Sequence, residues 1–352
     1  MSPSIPTFSR SWLWLFGFAA VVVIIAGLKA ISQVITPFLL AAFLMIICLP
    51  PLSWMQKKGI PNTISFLLLF STVGFSFFLL FVALKETAES LVLQAPFYQT
   101  KLTEQFVLLR EMASKYGVPA EMIPATIPLP NVSTVTSLAR QIATTLGQFT
   151  VYTFFVLLVF MFLLLEERSL QYRMAVAFPK NKKLQVRTRQ FLRSVNRYLA
   201  IKTTASIATG LVVGVGLSII GVDFAITWAI LAGILNFIPT IGSIVAAVPG
   251  VLVALLGLGT TDAVLTLMLY VAVNVVIGSI IEPRFMGQTL GLSPVVVLVS
   301  LMLWGWVLGP VGMLLSILLT MIIKLALDSS PQTRWLGIML SNSVKKTRQE
   351  PV

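Results

Sequence analysis

Long apolar runs alternate with short polar breaks along this chain. The first five runs are Trp12–Ile31, Val34–Leu52, Asn62–Leu84, Phe149–Leu165 and Thr203–Ile220. About 20 apolar residues suffice for a helix to cross a hydrocarbon core of roughly 30 Å. Beyond Gly221 the blocks are less regular: Phe224–Phe237, Ile241–Leu258, Ala263–Ile281 and a continuous stretch from Leu292 to Leu327. As one helix that last stretch would measure roughly 50 Å at about 1.5 Å per residue. Its WGWVLGPVG segment, Trp304–Gly312, is the place for it to bend or turn. The pattern predicts an all-α, polytopic membrane protein of about eight spans, with broken or re-entrant helices in its second half.

Two polar segments divide the runs. Residues 1–84 form spans 1 to 3. Residues 85–148 carry five basic and five acidic residues and are expected to be a small extracytoplasmic helical segment. Its middle, Gly117–Asn131, has four prolines, and Asn131 suits the cap of a following helix. Residues 149–165 are span 4. Residues 166–202 hold ten basic residues against two acids and read as a cytoplasmic amphipathic segment. There Arg189, Arg193 and Arg197 share one helix face beside Phe191, Val195 and Leu199. Residues 203–327 are the membrane core with broken helices, and 328–352 a cytoplasmic tail.

Composition agrees with this pattern. Of 352 residues 57% are hydrophobic and 11% charged. Soluble domains average about 25% charged residues. Mean hydropathy is +0.95. The net charge of +13 is positioned as a topology signal, not as a nucleic-acid surface. Arg10, Lys57 and Lys58, the ten-base segment, and the tail with Arg334, Lys345, Lys346 and Arg348 all fall on one side. By the positive-inside rule that side is cytoplasmic, with both termini there. The first run follows Arg10 but is longer than a signal peptide's apolar region and lacks a clear cleavage site, so it reads as a retained span. The chain has no histidine and one cysteine, Cys48. Histidine zinc sites, Ser-His-Asp triads and intrachain disulfides are thereby excluded. No P-loop pattern occurs, so ATP is not hydrolysed by that route. No enzyme, metal or cofactor is expected.

The candidate chemistry lies where polar and helix-breaking residues interrupt apolar sequence. In NFIPTIG, Asn236 can donate and accept, Pro239 and Gly242 break the helix, and Thr240 and Ser243 add hydroxyls. Irregular backbone at membrane depth survives only where protein or a hydrated cavity satisfies it. The stretch is therefore either a turn sealed by protein or a turn lining a substrate pathway. A second interruption runs from Asn274 through Glu282, Pro283 and Arg284 to Gly287 and Pro294. It echoes the first and suggests a second broken helix. Glu282 is expected to be neutralised by Arg284 or by a proton. Ser206, Gly210, Gly214 and Ser218, each four apart, form a ridge of small residues for helix packing, within the chain or between subunits.

The stretches NFIPTIGSIVAAVPGVLVAL and EPRFMGQTLGLSPVVVLVSLMLWGWVLGPVGMLL closely resemble the autoinducer-2 exporter-like family of bacterial membrane proteins. The likeness extends to PFLLAAFL near Pro37 and YLAIKTTASIATGL at Tyr198–Leu211. It implies a plasma-membrane secondary transporter and a homo-oligomer, with a pentamer as candidate stoichiometry. The expected partners are the lipid bilayer and a small polar solute, autoinducer-2 first among them. A sodium/proton antiporter is the alternative within the family, and a non-transporting scaffold built on residues 85–148 the alternative outside it. By motif position the resemblance carries Asn236, Pro239, Gly242, Glu282, Pro283 and Arg284 over as pathway candidates.

Overall fold

The computed structural model describes residues 10–115, 132–177, 182–286, 291–329 and 332–341. The four-proline stretch with Asn131, Gly287, and the tail lysines and arginine at 345, 346 and 348 lie outside them. Every regular element among the described residues is a helix. In chain order they are α1 (Arg10–Ala30), α2 (Ser32–Lys57), α3 (Asn62–Leu93), α4 (Ala95–Lys115), α5 (Val132–Ala177), α6 (Lys182–Ile220), α7 (Ala225–Leu235), α8 (Ile241–Gly257) and α9 (Thr260–Val273). A π-helical segment (Asn274–Ile281), α10 (Glu282–Met286), α11 (Pro294–Ser329) and α12 (Arg334–Met339) complete the set. Six stretches among them are long and apolar enough to cross a bilayer. Leu15–Ala30, α7 and α8 are shorter apolar helices. The fold is polytopic and helical, as the run pattern predicts.

Several boundaries differ from those suggested by charge. The apolar part of α5 begins at Ala143, and that of α6 at Leu192, well before Lys202. The two first runs are joined by Ile31 alone. Its N–H bonds back to Gly27, and its carbonyl accepts from Val34 and Ile35. An antiparallel helix pair takes a connection of about two to five residues, so the chain bends at Ile31 and does not turn back.

The chain divides into two units. One comprises residues 1–46, 158–195 and 290–352. Its core includes Ala41, Phe43, Phe160, Leu164, Leu301 and Leu315, all nearly inaccessible. Within it α1 reaches α11, where the Lys29 ammonium stands 3.7 Å from the Trp306 ring centre. α11 is not one straight rod. Gly309 has φ 68° and ψ −153°, open to glycine but not to other residues. The Trp304 indole N–H donates to the Thr320 hydroxyl at 3.1 Å. A straight helix would separate these residues by about 24 Å. The chain therefore reverses at Gly309, and Pro310 stands where a first helical turn needs no N–H. The turn at Trp304–Gly312 falls where the sequence places it. α12 then packs back on the end of α11, with Gly337 against the Asp328 carboxylate.

The other unit comprises residues 47–157 and 196–289. Its core gathers Val213 and Leu217 of α6, Trp228 and Ala232 of α7, Ala246, Val253 and Ala254 of α8, and Tyr270 and Val273 of α9. α3 joins α7 through a buried bond between the Thr87 and Thr227 hydroxyls at 2.7 Å. α4 packs on α8.

Candidate functional site

α7 has 11 residues and α8 has 17. They are about 16 and 26 Å long at roughly 1.5 Å per residue, too short to cross the core singly. They form a helical hairpin whose turn is Asn236–Thr240. Thr240 has φ 62° and ψ −55°, and the Ile241 N–H donates to the Pro239 carbonyl at 2.6 Å. This is a γ-turn with positive φ at its centre, rare and strained. For a β-branched residue such a φ is an outlier that costs about 1–3 kcal/mol. Gly242 is required on the far side. A Cβ there would collide with the Leu235 carbonyl oxygen. Pro239 and Gly242 thus do break the helix, and they break it sharply.

The polar groups of the turn are tied to neighbouring helices. Asn236 is 7% exposed, and its amide donates to the Ser206 hydroxyl of α6 at 3.1 Å, itself buried. The Ser243 hydroxyl lies 3.0 Å from Oδ1 of Asn274 and 3.2 Å from the Thr240 carbonyl, the donor choosing between them. The structure therefore joins Asn236, Ser206, Ser243 and Asn274 around one turn, although they are spread over 69 positions of sequence numbering, from 206 to 274. Behind it, α9 places two further hydroxyls against α8. Those of Thr266 and Tyr270 are buried without a hydrogen-bond partner. The Tyr270 hydroxyl lies 3.0 Å from where a Cβ on Gly250 would stand, so a side chain there would press on the tyrosine ring. Sequence reading missed both. Thr266, Tyr270 and Asn274 follow one another at four-residue spacing, which could have shown them as one helix face.

Over its described part, Asn274–Met286, the second expected interruption does not break the helix, and Gly287 lies outside the described residues. Thr260–Met286 is a continuous rod long enough to span. Its π-helical segment carries the backbone into Pro283, with the Glu282 N–H reaching the Ile277 carbonyl five residues back. Pro283 stands in the first turn of α10, where its missing N–H is tolerated. As far as Met286, the echo between the two stretches is therefore one of composition, not of structure. The closer structural counterpart of the 236–242 turn is the Gly309 reversal. There Gly312 meets the Trp304 carbonyl as Gly242 meets that of Leu235.

Glu282 is paired, but not with Arg284. Lys202 of α6 donates to both its carboxylate oxygens, at 2.7 and 3.0 Å, and the two side chains are 5% and 11% exposed. Arg284 is exposed on the outer side of α10. Lys202 closes the basic segment 166–202 in sequence, yet its charge is buried.

Two residues of the small-residue ridge, Gly210 and Gly214, pack against α7, while Ser218 is exposed. A Cβ on Gly210 would be 3.0 Å from the Ala229 carbonyl of α7, and one on Gly214 would be 2.8 Å from the Ala229 Cβ. Ser206 meets Asn236, and Ser218 turns its hydroxyl to the Gly214 carbonyl at 2.8 Å. Opposite the turn, on α4, the Tyr98 phenol donates to the Asp223 carboxylate at 3.1 Å, while the Trp228 indole N–H donates to the Asp223 carbonyl at 3.0 Å. Burial first, and then the Asp223 carboxylate, push the Tyr98 phenol up to about 12. It stays protonated and remains the donor. No group of three or more metal-ligating side chains occurs among the described residues.

These features define a class: a polytopic helical membrane protein whose core includes a hairpin of two apolar helices, one of 11 and one of 17 residues. Residues 18–332 match the AI-2E family transporter description, and the chain belongs to that family of transporters. It is 35% identical over 337 residues to a candidate transport protein of Haemophilus influenzae, covering 93% of this chain and 96% of that protein. It is 33% identical over 328 residues to the AI-2 transport protein TqsA of Escherichia coli K12, covering 92% of this chain and 94% of TqsA. YhhT, a candidate transport protein of the same strain, is 32% identical over 338 residues, with 95% of each chain covered.

Proposed function

We propose that this chain is a secondary transporter that exports a small uncharged polar metabolite, autoinducer-2 being the first candidate. The observation that carries the reading is the α7–α8 turn. Strained backbone and buried polar side chains meet there inside otherwise apolar helices. Backbone outliers of this kind concentrate at ligand clamps and switches. Broken helices surround the substrate in several secondary transporters. The pathway candidates are Asn236, Pro239, Thr240, Gly242, Ser243 and Asn274. The name of TqsA supports the choice of solute.

The pairing of Glu282 with Lys202 favours this reading over sodium/proton antiport. Its carboxylate is already engaged by an ammonium, whereas the polar groups at the turn are all uncharged. Pro283 and Arg284 then belong to the end of the rod. In this account the protein sits in a bacterial inner membrane, with Lys57, residues 166–191, Arg284 and the C-terminal end on the cytoplasmic side and α4 outside. It works as a homo-oligomer, and a pentamer is the stoichiometry to test.

Purified protein in liposomes decides between the readings. Labelled autoinducer-2 and sodium are followed in the same vesicles, with and without a pH gradient. Saturable autoinducer-2 flux that Asn236→Ala or Ser243→Ala lowers at least tenfold supports export. Sodium-dependent proton movement lost in Glu282→Gln supports antiport. Neither flux, with α4 still required for a partner in cells, supports a scaffold.

A further inference from the structure

A groove of about 750 Å³ runs between α6 and the α9–α10 rod. Ile201, Ala208 and Val212 line one wall, and Val276, Ile281 and Phe285 the other. Its one charged lining residue is Glu282, already bonded by Lys202. The interior is therefore apolar and electrically neutral. Along α6 the lining extends from Ala200 to Val212, about 18 Å at roughly 1.5 Å per residue. That is close to one leaflet, half of a hydrocarbon core of roughly 30 Å.

The charge at its ends is not symmetric. Arg197 stands one turn before Ala200 and Arg284 beside Phe285, both at the same end and both exposed. The Arg197 guanidinium reaches the Phe285 carbonyl at 3.4 Å and so spans the groove's mouth. Neither arginine has a carboxylate partner among the described residues. The opposite end, toward Val212 and Leu269, is lined by apolar side chains. An apolar trough one leaflet long with two uncompensated guanidinium groups at one end matches one kind of membrane molecule.

We propose that this groove binds an anionic phospholipid. One acyl chain lies between α6 and the rod, and the phosphate is held at Arg197 and Arg284. Guanidinium groups present forked donors that suit phosphate oxygens. Basic pockets between membrane helices select anionic head groups. The site is separate from the turn at Asn236–Thr240, and its existence does not depend on which solute is carried.

The test uses the full chain in lipid nanodiscs of mixed phosphatidylglycerol and phosphatidylcholine, with bound lipid counted by native mass spectrometry after release. Retained lipid should favour phosphatidylglycerol by at least tenfold over the disc composition, given roughly fivefold for each basic side chain at an anionic surface. Arg197→Ala with Arg284→Ala should erase the preference, while Arg197→Lys with Arg284→Lys should keep part of it. Ala272→Phe, which fills the groove away from both arginines, should displace the lipid whatever its head group. Equal retention of the two lipids by the parent protein overturns the proposal. So does an unchanged preference in the double alanine variant, or full retention in Ala272→Phe.

Discussion

At the scale of single residues, the membrane setting sharpens the consequences of each polar group. The Lys202–Glu282 pair is the clearest case. Leaving one buried ion without its partner typically costs 3–5 kcal/mol, roughly what a buried pair loses when broken, whereas removing both charges is often nearly neutral. Lys202→Met and Glu282→Gln should each lower the melting temperature of the detergent-purified protein by many degrees. The double variant should recover most of that loss, and additive losses would count against a mutually neutralising pair. Thr240 tests strain in the same way. Thr240→Gly relieves about 1–3 kcal/mol of backbone cost, so its thermal stability should equal or exceed the parent's. Gly242→Ala should instead destabilise the hairpin, because its methyl group meets the Leu235 carbonyl.

At the scale of elements, the α7–α8 hairpin is held by the helices around it. α3 holds it through Thr87 and Thr227, and α4 through Tyr98 and Asp223. Tyr98→Phe removes the donor without removing the ring. Amide hydrogen exchange in α4 should then rise at least several-fold while exchange in α9 is unchanged; equal protection in α4 would show that packing alone holds it. The elements also mark the limits of what sequence reveals. Pro239 with Gly242 and Gly309 with Pro310 were legible as turns because each joins a missing donor to a residue free to take unusual backbone. Pro283 resembles them in one dimension, but its neighbours widen into a π-helix and absorb it. Lys202 was hidden because a charge beside a basic segment reads as solvated until a helix carries it inward. Thr266 and Tyr270 were hidden for the opposite reason: single hydroxyls scarcely disturb an apolar run.

At the scale of the whole molecule, the charge pattern, the run lengths and the family agree on a polytopic helical transporter. Transport by this chain then requires that the turn between α7 and α8 face the route a solute takes. Cys48 is the only native thiol, and it is buried, so Cys48→Ala gives a clean background for single-cysteine labelling. A thiol reacts as its thiolate, which needs water, and lipid-facing positions are therefore silent. Thr240→Cys and Ser243→Cys, placed in that background, are treated with a membrane-impermeant thiol reagent beside Val245→Cys and Met268→Cys, exposed apolar positions outside the groove that Ser243 and Asn274 line, as controls. Rapid labelling is expected at 240 and 243, slowed by autoinducer-2, and none at 245 or 268. Labelling at 240 and 243 no faster than at the two controls would contradict a turn that faces the solute's route.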